Sequence, residues 1–218
     1  MQNRGKAGKM PRIEPFEKYA EKYEDWFERN KFAYESEVQT IKELLPREKK
    51  SIEIGVGSGR FAVPLGIKIG VDPSPRMREI AQQKGIKVID ATAEELPFKN
   101  SKFELALMVT SICFMDNLEL AFQEAYRILK PGGYLIIGFV DKDSSLGKLY
   151  QQHKKNNVFY KIATFYSVKE VVYYLDKVGF KEFIFKQTIF HSLDEIKNVE
   201  LVKEGYGEGS FVVIRARK

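Results

Sequence analysis

The 218 residues suit one compact domain, and an apolar fraction of 44% beside 30% charged residues excludes a disordered or fibrous chain. No apolar run approaches the about 18 to 20 residues that cross a bilayer, and no apolar secretory segment opens the chain, so a cytoplasmic protein without a membrane span is expected. The net charge of +6 is concentrated in Arg4, Lys6, Lys9 and Arg12, which leaves the rest close to neutral and argues against a nucleic-acid surface, while the single cysteine, Cys113, excludes a disulfide and a metal site.

Residues 1–12, MQNRGKAGKMPR, hold little to bury and are expected as a flexible basic tail, followed by a single domain over 13–218. Residues 13–46 are expected as an N-terminal helical lid that carries Tyr19, Tyr23, Trp26 and Phe27, then a helix with Val38, Ile41 and Leu45 inward. From Ser51, short Val- and Ile-rich runs at 51–54, 67–71, 86–89, 105–109 and 134–140 alternate with helical periodicity, the pattern of strand, crossover helix and parallel strand. Ser74 as cap, Pro75 at the first helical position and Gly85 place one helix at about 75–84. Asp116 and Glu119 at capping-box spacing open a second, with Leu118, Ala121, Phe122, Ala125 and Leu129 on one stripe. Ser167 and Glu170 open a third, which leads into two strands at 180–190 and 211–215 that suit an antiparallel pair. The fold class is α/β: a doubly wound, seven-stranded, mostly parallel sheet with a C-terminal antiparallel strand. Residues 141–166 interrupt the alternation and are expected as an inserted cap. Both the lid and this cap can sit over the carboxyl ends of the strands, where open parallel sheets bind ligands.

The densest motif is Ile52-Glu53-Ile54-Gly55-Val56-Gly57-Ser58-Gly59-Arg60-Phe61, a strand running into a glycine turn and then into an expected helix. Glycines there let backbone approach a ligand without a side chain in the way. A dinucleotide fingerprint would carry its third glycine where Arg60 stands, which disfavours a nicotinamide-dependent oxidoreductase.

The spacing of Glu53, Gly55, Gly57 and Gly59 instead resembles the class I S-adenosylmethionine-dependent methyltransferases, and over nearly its whole length the chain is similar to that family, within it to the small-molecule methyltransferase type 11 group. The resemblance implies a Rossmann-like sheet and S-adenosyl-L-methionine as cofactor. It implies cofactor contacts at Glu53, Gly55, Val56 and Gly57 in the turn. Asp72 and Pro73 follow at the tip of the next strand, with the Asp72 carboxylate accepting both ribose hydroxyls. Thr92, Ala93 and Glu94 are implied around the adenine, and Thr110 beside the methionine part. Thr92 departs from the family's usual Asp, although its hydroxyl still accepts one hydrogen bond. Glu104 replaces the Asp of the family's Phe-Asp strand, and Cys113-Phe114 stands where many relatives carry a His-His or Leu-His pair. Cys113 itself reads as a small buried hydrophobe.

Methyl transfer from a sulfonium is an in-line displacement with a good leaving group, so positioning, worth up to about 7 to 11 kcal/mol, matters more than any one catalytic side chain, and none is named. A general base is required only for an acceptor that arrives protonated. Candidates for the acceptor side are Tyr19 and Tyr23 from the lid and His153, Tyr160 and Tyr166 from the cap. The cap's Lys142, Lys148, Lys154, Lys155 and Lys161 leave two readings, an anionic or aromatic acceptor or a solvated lysine face. The expected partner is a small-molecule acceptor. A non-catalytic S-adenosylmethionine-binding module or regulatory subunit is the alternative that Thr92 and Cys113-Phe114 keep open.

Overall fold

The computed structural model describes residues 12–46 and 50–218; residues 1–11 of the expected basic tail lie outside them. Three helices come first, α1 (Glu14–Lys18), α2 (Ala20–Arg29) and α3 (Lys31–Lys42). The alternating part follows as β1 (Ser51–Ile54), β2 (Ile69–Val71), α4 (Pro75–Gln83), β3 (Lys87–Ile89), β4 (Phe103–Val109), α5 (Leu118–Ile128) and β5 (Leu129–Val140). The chain ends with α6 (Ser145–Gln152), α7 (Val168–Val178), β6 (Lys181–Thr188), β7 (Lys203–Glu204) and β8 (Phe211–Arg217).

All strands form one sheet in the order β3-β2-β1-β4-β5-β8-β6-β7. The first five run parallel, and β8 lies antiparallel to both β5 and β6. The sheet has one strand more than the seven expected. The polar connection after β6 doubles back as β7, where the Lys186 ammonium meets Glu204 at 2.6 Å and the Gln187 amide donates to the Glu204 carbonyl.

Strand alternation sorts the apolar side chains onto two faces. Ile52, Ile54, Ala106 and Met108 join a core with Phe122 and Ala125 of α5 and Val171 and Leu175 of α7. Leu105, Leu107 and Val109 join the opposite core with Ile41 of α3, Phe61 and Ala81. Both faces of the central strands are thus buried, which explains their near-continuous hydrophobic runs.

Helix starts follow the side chains able to accept backbone N–H groups. Ser74 accepts from Met77 at α4, and Ser167 with Glu170 makes a reciprocal capping box at α7. At α5 the cap is Asn117, whose Oδ1 accepts from Leu120, rather than the expected Asp116. Asp116 faces the other way and pairs with Arg12 at 3.1 Å. The helix expected after the glycine turn is absent: residues 57–66 run as consecutive turns with isolated bonds such as Val63 N–H to Gly59 O. Pro64 has no N–H for the carbonyl of Arg60, and the Tyr34 hydroxyl takes that carbonyl instead.

Candidate cofactor and acceptor cavity

A cavity of about 940 Å³ lies over the carboxyl ends of the parallel strands. Of the residues expected at the cofactor, Gly55, Gly57, Asp72, Pro73, Thr92, Ala93, Glu94 and Thr110 line it, while Glu53 and Val56 do not. Val56 is buried against Gly70, where it fills the space of an absent side chain. Of the acceptor candidates, Tyr23, Tyr160 and Tyr166 line the cavity. Tyr19 and His153 stand outside it. Tyr19 occupies the joint between α1 and α2 and is 43% exposed, and His153 ends α6 facing solvent.

The floor is built by backbone. Gly55 and Val56 both donate their N–H to the Val71 carbonyl, which pins the turn to the tip of β2. From that tip Asp72 reaches back: Oδ2 accepts from Gly57 N–H at 2.8 Å and Oδ1 from Ser74 N–H at 2.9 Å. The Arg78 guanidinium holds the same corner through the carbonyls of Asp72 and Pro73 and the carboxylate of Asp90. Burial pushes the Asp72 carboxyl up to about 6 against the opposing pull of the Ser74 and Gly57 N–H groups. Two of its roughly four lone-pair sites remain available to a ligand.

Beneath the turn Glu53 is buried and accepts the Ala62 N–H, yet its Oε2 has no partner. Burial raises its carboxyl well above the usual range. At the end of β4, Thr110 sits at φ +48°, a left-handed conformation that a β-branched residue adopts at a cost of about 1 to 3 kcal/mol and that clusters at functional sites. Sequence periodicity carries no signal for that strain. Glu94 is spent on structure, since its Oε1 accepts the N–H groups of Asp116 and Asn117, and residues 93–95 form a turn rather than the start of a helix.

Two carboxylates clamp the N-terminal helices over this floor. Glu17 accepts from the Ser74 hydroxyl and from Arg76 N–H. Glu24 accepts from the Ser58 hydroxyl, from the Arg60 guanidinium at 2.8 Å and from Lys84 at 3.0 Å. Burial opposes ionisation of Glu24, but the hydrogen bonds from Ser58, Lys84 and Arg60 outweigh it and hold the carboxyl below its usual value. The clamp brings Tyr23 over the turn, where a side-chain carbon added to Gly57 would lie 3.5 Å from the Tyr23 hydroxyl. Sequence reading missed Glu17 and Glu24 because their partners lie 34 to 60 residues away.

The upper wall is aromatic. Phe16 packs edge-on against Phe114 and also meets Phe159, which in turn approaches Tyr23. Tyr150 and Tyr160 stack with centroids 4.3 Å apart, and burial pushes the Tyr160 hydroxyl up to about 12. Arg12 ties lid to cap by donating to the Ile162 carbonyl and the Thr164 hydroxyl. The Cys113 thiol, also pushed up to about 12 by burial, donates to the Thr110 carbonyl. Of the cap lysines, Lys142 pairs with Glu170 and Lys154 donates to the Ala163 carbonyl, while Lys148, Lys155 and Lys161 are exposed. None of the five lines the cavity, so the cap gives no support to an anionic acceptor.

A glycine tip open to approach and a buried carboxylate with spare lone pairs suit a ligand that offers hydroxyls. Fold and site together define a class, the α/β proteins that bind a ligand at the tips of a parallel sheet. Comparison with known proteins sharpens it. The family described as methyltransferase domain matches residues 52–137. A Thermotoga maritima crystal structure, described as a SAM-dependent methyltransferase and possible histamine N-methyltransferase, is 55% identical with a TM-score of 0.92, covering 94% of this chain and 98% of that one. An uncharacterized Methanocaldococcus jannaschii protein is 50% identical over 203 residues, 93% of this chain and 98% of its own. A demethylmenaquinone methyltransferase of Chlorobaculum tepidum is 32% identical over 136 residues, 58% of this chain and 56% of that enzyme. The chain belongs to the S-adenosylmethionine-dependent methyltransferases, and S-adenosylmethionine is its cofactor.

Proposed function

We propose that this chain transfers the methyl group of S-adenosylmethionine to a small-molecule acceptor enclosed between the lid and the cap. The observation that carries the reading is the Asp72 carboxylate at the floor of a roofed cavity of about 940 Å³. Ligand pockets span about 300 to 1,000 Å³, which puts this one at the upper end of that range.

Asp72 would accept the ribose hydroxyls, Gly55 and Gly57 would admit the ligand against backbone, and Thr92 with Ala93 would flank the adenine. The bound cofactor supplies a methyl on a positively charged sulfur that leaves as a neutral thioether. Positioning does the rest, and Thr110, Tyr23 and the aromatic wall would orient the acceptor and exclude water. No described residue is required to act as a nucleophile.

The test is a transfer assay with methyl-labelled cofactor over amines, phenols and carboxylates. Transfer to at least one class is expected. Tight binding of the demethylated product without transfer to any of them would favour the non-catalytic module instead.

A further inference from the structure

Among the described residues, most buried or half-buried carboxylates have partners. Glu24, Glu94, Glu124 and Glu200 each accept from backbone N–H groups, hydroxyls, guanidinium or ammonium groups, or an imidazole. Glu37 does not fit that pattern. It lies on α3, one turn after Tyr34, is 4% exposed, lines the large cavity, and its Oε2 has no hydrogen-bond partner. Glu53, the other orphan, at least receives the Ala62 N–H and sits under the glycine turn.

The wall that Glu37 shares is aromatic, with Trp26, Phe27, Phe139, Tyr150 and Tyr160. A buried carboxylate is costly unless something compensates it, and aromatic faces attract organic cations while repelling anions. Resting on the methyltransferase reading above, we propose that Glu37 is the recognition group for the methyl acceptor and that it selects an acceptor with a positively charged or proton-donating amine nitrogen.

The protonation state of the site follows. Burial alone pushes the Glu37 carboxyl up to about 8, so at pH 7 an unfilled site keeps the proton on it. The titratable groups interacting with it are Tyr34 on its own helix and Tyr150 and Tyr160 of the cap, all pushed up by burial and neutral at that pH. Lys22 and Arg29 of α2 also reach the cavity wall, and neither forms an ion pair with Glu37. When an ammonium ion enters, one proton must leave to solvent, whether the pair is held as carboxylate and ammonium or as carboxylic acid and amine. In the carboxylate and ammonium form a second proton must pass from nitrogen to the Glu37 carboxylate, which frees the lone pair. The nitrogen then bonds to the methyl carbon as the carbon–sulfur bond breaks and its electron pair stays on sulfur. The product is the protonated methylated amine beside a neutral Glu37.

The experiment is calorimetry on protein saturated with S-adenosylhomocysteine at pH 7, in two buffers of different ionisation enthalpy. The probes are 2-phenylethylamine and tryptamine, each set against the alcohol of the same shape, 2-phenylethanol and tryptophol. At least one amine is expected to bind ten-fold or more tighter than its alcohol and to release close to one proton. Glu37→Gln should abolish both the preference and the release while leaving S-adenosylhomocysteine affinity within two-fold. Amines no better than alcohols, a preference that survives Glu37→Gln, or a loss of S-adenosylhomocysteine affinity in that variant would each overturn the assignment. The wild-type comparison needs no variant to fold. Failure of the wild-type chain to bind S-adenosylhomocysteine at all would overturn the methyltransferase reading beneath it, which keeps the two failures apart.

Discussion

The floor and the roof of the cavity are built by different physics. The floor is backbone: glycine N–H groups, strand-tip carbonyls and one buried carboxylate fixed by two N–H donors, so its geometry tolerates almost no change of side chain. The roof is side chain, an aromatic layer from the lid and cap held in place by a few ion pairs. A backbone floor suits a ligand that does not vary, and a side-chain roof suits one that does. In the proposed function the constant cofactor would lie below and the specific acceptor above.

The largest effect expected from breaking the floor is that of Gly55→Val. Gly55 sits at φ +73°, and an added Cβ would lie 2.6 Å from the Cβ of Ser111. Strain of about 1 to 3 kcal/mol should appear as a lower denaturation midpoint, together with at least ten-fold weaker S-adenosylhomocysteine binding. Next comes the joint between the two regions. Glu24→Ala leaves Arg60 and Lys84 without their main partner and should cost about 1 to 3 kcal/mol, seen as a fall in melting temperature and a faster release of cofactor.

A pH series distinguishes binding from folding at Asp72. Its carboxyl is raised to about 6 in the folded chain against 3.8 unfolded, so the native state holds the proton more tightly. Its contribution to the stability of the ligand-free protein is therefore fully present below about pH 4 and is lost as pH rises through 6. The proposed ribose recognition by Asp72 would need the charged acceptor and should fall in the opposite direction, weakening below about pH 6. Asp72→Asn should flatten both trends. The smallest effect is expected at the roof. Tyr160→Phe removes only the hydroxyl that interacts with Tyr150, so cofactor affinity should stay within two-fold while the KM for an acceptor shifts several-fold.

The same division governs what could be read from residue order. The floor was legible because its parts are local: Glu53 to Gly59 is one strand and one turn, and Asp72 marks the next tip. The strand runs, Ser74 and the box at Ser167 and Glu170 were legible for the same reason. The roof was not, because it is assembled from residues far apart in the chain. Arg12 reaches Thr164, and Glu17 reaches Ser74. The absence of a helix after Gly59 depended on the Tyr34 hydroxyl taking a carbonyl that Pro64 could not serve. Glu37 looked like any helical acid until burial without a partner set it apart. Tyr19 and His153 carried the right chemistry, but neither lines the cavity.

The most direct measurement is a calorimetric titration of the wild-type chain and of Asp72→Ala with S-adenosylhomocysteine at pH 7.5. One site per chain is expected in the wild type, with affinity reduced ten-fold to a hundred-fold in the variant, which corresponds to about 1 to 3 kcal/mol for the lost acceptor. Equal affinity in the two proteins, or no binding to the wild type, would contradict a ribose-accepting carboxylate at the tip of β2.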